Sequence, residues 1–68
     1  MDLQLMGKGQ NMIPNEPVML LSFVNMKLRD FYGDLKILCG ELSINQKELE
    51  EKLAGIDYHY DKEQNQFI

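Results

Sequence analysis

Cys39 and His59 are the residue types in this chain best suited to nucleophilic chemistry, and the sequence holds one of each. A working pair needs a partly exposed thiolate within hydrogen-bond reach of a base that a third group orients. Cys39 shares the apolar face of a short helix with Leu35, Leu38 and Leu42, where a small thiol suits the close crossing of two helices. His59 stands in Asp57-Tyr58-His59-Tyr60-Asp61, an alternating stretch whose strand period turns it outward with Asp57 and Asp61. One imidazole between two carboxylates on a strand face reads as a solvated surface rather than a metal site. The sequence therefore predicts a chain that is not an enzyme, with no catalytic residue, no metal ligand and no cofactor.

Two other sets of residues bear on binding. Ser22, Asn25 and Arg29 recur at helical spacing opposite the apolar face of a first helix. Met19, Phe23 and Met26 flank them with more apolar surface than one core-facing arc requires. Methionine adapts to varied partners, so Met19, Phe23, Asn25, Met26 and Arg29 form a candidate protein-interaction surface. The second set lies on a helix at about 46–54, where Gln46, Lys47, Glu50 and Glu51 face outward. If that helix read DNA it would need Lys, Arg, Asn or Gln toward base edges and basic flanks toward phosphates. Two outward glutamates oppose this, and so does the overall balance of seven basic to eleven acidic residues, a net charge of −4. Counterion release needs cations facing the phosphates.

The elements that must hold these residues are legible from local signals. Asn15 precedes Glu16 and Pro17 as a helix cap. The helix is expected to run to about Asp30, burying Leu20, Leu21, Phe23, Val24, Leu28 and Phe31, with Gly33 as the stop. Asp34 caps a second, short helix carrying Leu35, Leu38, Cys39 and Leu42. Asn45 and Glu48 form a capping box, with Ile44 and Leu49 as its hydrophobic staple, and a third helix buries Leu49 and Leu53 before Gly55. Glu48 and Lys52 are spaced to pair along it. The tail changes period: Asp57 to Asp61 reads as a strand, Lys62 to Asn65 as a turn, and Gln66-Phe67-Ile68 as the returning strand. Tyr58 and Tyr60 are expected to cover the helices.

Leu38, Cys39, Leu42, Ile44, Leu49 and Leu53 fall where a helix-turn-helix unit places its core. Ser43 stands at the turn in place of the usual glycine, a less comfortable left-handed residue. The expected fold is mainly α: a three-helix core with a helix-turn-helix unit and a short C-terminal β-hairpin, a miniature winged-helix-like arrangement. At 68 residues the chain hides only about 60% of its unfolded surface, so each large apolar residue counts. Residues 1–11 read as a flexible N-terminal leader and 12–68 as the single domain. Gly7-Lys8-Gly9 demands a purine-rich codon run that resembles a ribosome-binding site ahead of Met12, which makes Met12 the expected native start. A lone cysteine, and no long apolar run or signal leader, point to a reducing cytoplasm.

Residues 12–68 resemble the family of small bacterial proteins called DUF4250. The Val24-Asn25-Met26-Lys27-Leu28-Arg29-Asp30 run and the ending from Tyr60-Asp61 through Asn65-Gln66-Phe67 carry the resemblance. It implies a bacterial, anaerobe-associated protein and supplies no functional residues. Two functions stay open on the residues themselves. One is a module for protein–protein interaction or homodimerisation. The other is a DNA-binding helix-turn-helix regulator using the helix at about 46–54. The expected partner is an unknown protein or a second copy of the chain, with nucleic acid the less favoured alternative and no membrane.

Overall fold

The computed structural model describes residues 13–68, so the leader reading of residues 1–11 lies outside the described residues. Three helices and a hairpin follow in order: α1 (Pro17–Asp30), α2 (Leu35–Leu42), α3 (Gln46–Ala54), β1 (Tyr60–Asp61) and β2 (Gln66–Phe67). The fold is mainly α, with the expected three helices and C-terminal hairpin.

Helix α1 begins one residue later than its expected cap. Glu16, in extended conformation, folds its carboxylate back to accept the Met19 amide at 2.9 Å, and Pro17 opens the first turn. Asn15 is thereby left for a different contact: its side-chain and backbone oxygens both accept from Lys52 Nζ, which ties the entry of α1 to α3. Lys52 is thus directed to Asn15 rather than toward Glu48. Leu20, Val24 and Leu28, spaced four apart, form the buried spine of α1, while Leu21 and Phe23 are half-buried. Phe31, expected in this core, is 66% exposed. It falls after the last turn, at φ −130° and ψ −32°, and its ring lies 4.8 Å from Lys27 Nζ. The helix has therefore stopped before Gly33.

Asp34 caps α2 by accepting the Ile37 amide at 2.8 Å. The turn to α3 passes through Ser43 at φ 57° and ψ 43°, the left-handed position foreseen for it, and Cys39 O accepts from both Ser43 N and Ile44 N. Asn45 then caps α3 through Glu48 N at 3.0 Å. Ile44 is half-buried and Leu49 buried on either side of this boundary, as a staple requires. Leu38, Cys39, Leu49 and Leu53 are buried where the two helices meet, with Leu42 and Ile44 packed at the margin.

Gly55 closes α3 by donating to the Glu51 and Lys52 carbonyls. Its own backbone is right-handed, and a Cβ there would lie 3.2 Å from Lys52 O. The left-handed step comes two residues later, at Asp57 with φ 71°. Asp57 is consequently part of the turn and not of the strand. The strands pair antiparallel with Tyr60 opposite Phe67 and Asp61 opposite Gln66, and His59 and Ile68 exchange both backbone bonds at 2.9 Å. Tyr60 faces the helices, but Tyr58, expected beside it, stays exposed. The main apolar contribution of the hairpin is Phe67, only 1% exposed and enclosed in the helical core. A two-stranded ribbon is marginal in water, so this anchor is what makes it persist.

Candidate binding surfaces

The outer face of α1 is divided in use. Met19 is 61% exposed and Val18 57%, whereas Met26 is half-buried. Phe23 is half-buried too, with Lys27 Nζ 5.5 Å from its ring. The Lys27 ammonium thus lies near two rings, Phe23 and Phe31, one helical turn before and after it. Arg29 is exposed and bound to its neighbour: Nε donates to Asp30 Oδ1 at 3.0 Å and a terminal nitrogen to Oδ2 at 3.1 Å. These bonds hold the Asp30 carboxyl below the usual carboxylate range and raise the guanidinium still further.

Asn25 departs most from its sequence reading. Instead of joining a solvated stripe, it reaches the last strand. Its Oδ1 accepts from Phe67 N at 2.8 Å and its Nδ2 donates to Phe67 O at 3.1 Å. Between α1 and the hairpin lies a groove of about 900 Å³, lined by the apolar Leu21, Met26 and Ile68 together with the polar Arg29 and Gln64.

A second polar relay ties the hairpin to the helix ends. The Tyr60 hydroxyl accepts from Leu35 N at 3.2 Å and donates to Asn65 Oδ1 at 2.6 Å. Asn65 Nδ2 donates to Leu28 O and Tyr32 O at 3.1 and 3.0 Å. Groups at the end of α1 and the start of α2 that lack a helical partner are thus closed by one strand residue, Tyr60, and one turn residue, Asn65. The sequence offered Asn65 only as a turn residue, and its φ of 55° fits that part of the reading. Its Nδ2 reaches carbonyls more than thirty positions away, which no local pattern could reveal.

The outward face of α3 carries Gln46, Lys47, Glu50 and Glu51, all exposed as expected, with Gln46 Nε2 donating to Glu50 Oε2 at 2.8 Å. These four side chains form one wall of a second groove, of about 600 Å³, and His59, Tyr60 and Phe67 line the hairpin side. Cys39 is buried at the helix crossing, and burial pushes its thiol above its ordinary value, with Glu50 adding a smaller push. His59 is exposed, 4.0 Å from Asp57, so thiol and imidazole differ fully in environment. Among the described residues no three His, Cys, Asp or Glu side chains gather as metal ligands would. Nor, among them, is any helix long and apolar enough to cross a membrane.

A helix-turn-helix unit preceded by one helix and closed by a docked hairpin defines the class: a small, mainly α domain with grooves on either side of its strand pair. The chain belongs to the family described as Domain of unknown function (DUF4250), whose model matches residues 14–67. No curated protein and no solved structure matches it.

Proposed function

We propose that this chain is a non-enzymatic binding module whose partner is protein, and that the outward face of α1 is a contact surface. The observation carrying this reading is the exposure of Val18 and Met19, 57% and 61%, on the same helix as the half-buried Met26. Exposed apolar side chains, with methionine adaptable in shape, serve interfaces well and serve a solvated helix poorly. A buried thiol with a raised pKa, where a nucleophile needs an accessible thiolate, supports the non-enzymatic part.

The second reading, DNA binding through α3, is favoured by the helix-turn-helix geometry and the adjoining hairpin. Glu50 and Glu51 weigh against it, because carboxylates on the reading face repel phosphates unless cations elsewhere compensate. Affinity capture from cells at low salt, with protein and nucleic acid both analysed, separates the two. Recovery of a protein that Met19→Glu or Met26→Glu releases supports the first. Retention on duplex DNA, weakening steeply with salt and lost on Lys47→Glu, replaces it with the second.

A further inference from the structure

Helix α2 buries Leu35, Leu38 and Cys39 and turns Lys36, Gly40, Ile37 and Glu41 outward, in that order around its axis. Two features of this face have no cause among the described residues. Ile37 is 50% exposed, on a helix of only eight residues. Gly40 stands inside the same helix, where glycine is the least favourable residue after proline. A Cβ at Gly40 would meet nothing within 4 Å, so no close neighbour in the chain calls for glycine there. A bare position of this kind lets a second backbone come close.

From this face we infer that a second copy of the chain docks on α2, antiparallel, about a two-fold axis level with the midpoint between Leu38 and Cys39. The spacing selects a second copy as the occupant. Ile37 and Gly40 lie equally far from that midpoint along the helix, and so do Lys36 and Glu41. The axis therefore sets each Ile37 level with Gly40 of the other copy, and each Lys36 level with its Glu41. The bare glycine gives the isoleucine room, and a cation meets an anion twice across the axis. Lys36 and Glu41 are both exposed, and the ion pairs among the described residues lie elsewhere, at Arg29 with Asp30 and His59 with Asp57. One short helix from each copy makes a small contact, below the roughly 1,200 Å² of lasting complexes, so the dimer is weak and reversible. This goes beyond the reading of α1, whose exposed face it leaves for a different protein.

The test is sedimentation of the full chain up to millimolar concentration, with the fold followed by circular dichroism. Gly40→Gln has room within its own chain, so it raises the melting temperature while weakening dimerisation about tenfold. Lys36→Glu alone, and Glu41→Lys alone, weaken it about tenfold too, because like charges then meet twice across the axis. Both reversals in one chain restore association. A chain that stays monomeric at millimolar concentration overturns the inference, and capture of a different protein through α1 would still stand. A dimer that Gly40→Gln and the single reversals leave intact overturns it as well, and its loss on Met19→Glu would assign self-association to α1.

Discussion

The side-chain amide of Asn25 stands to Phe67 as the peptide group of a neighbouring strand would, accepting from its N–H and donating to its C=O. One helical residue thereby completes the ladder on the inner edge of the hairpin, while Phe67 itself fills the core. Replacing Asn25 with Ala leaves both peptide groups half-buried and unpaired, at a cost of about 2–3 kcal/mol. Urea unfolding measures the loss, and amide exchange at Phe67 should accelerate more than at Val24. Equal acceleration at both positions would mean that the amide holds the whole domain rather than the strand.

Phe67→Ala removes the largest fully buried side chain of the described residues. An emptied aromatic site costs about 3–5 kcal/mol, which rivals the total stability of a domain this size. The variant is expected to be largely unfolded at 37 °C by circular dichroism. A melting temperature within a few degrees of the parent would show that the helices hold without the hairpin.

Ser43→Gly should act in the opposite direction. A serine held at φ 57° is strained, and glycine occupies that region freely. The gain is offset by the greater freedom of glycine in the unfolded chain, leaving about 0.5 kcal/mol of stabilisation. A lower melting temperature would indicate that the Ser43 side chain contributes more than its backbone costs.

Cys39 gives a pH dependence. Burial raises its pKa, so the folded chain keeps the proton after an unfolded thiol has lost it. The protonated thiol's contribution is fully present below about pH 8.5, where a free thiol ionises, and is lost as pH rises from there through the raised folded value. Unfolding curves between pH 7 and 10 should show the parent losing stability relative to Cys39→Ala across that window. At neutral pH a thiol reagent should react at the rate of unfolding. Rapid labelling of the native chain would contradict the burial.

Much of the architecture could be read from the residues because its causes are local. Asp34 and Asn45 cap the helices they were expected to cap, since a short polar side chain three residues ahead of a free amide needs no tertiary help. Ser43 had to be left-handed for α2 and α3 to meet at Cys39. The errors share a different origin. Asn15, Lys52 and Asn25 each had a satisfactory nearby role, and each was drawn instead to a residue 37 or more positions distant. Helical spacing alone cast Asn25 as outward, because periodicity says which face a residue occupies and not what arrives on that face. Phe31 was misread for a simpler reason: the helix ends before it, so the period no longer governs where its ring points.

The enclosure of Phe67 also has a temporal meaning. As the ribosome extends the chain, α1, α2 and α3 are all synthesised before the residue that fills the space among them. Helical turns can flicker into place during elongation, but the cooperative step waits until position 67 is free of the exit tunnel. Nascent chains stalled short of that point should therefore be open to proteases, and chains released beyond it should be closed.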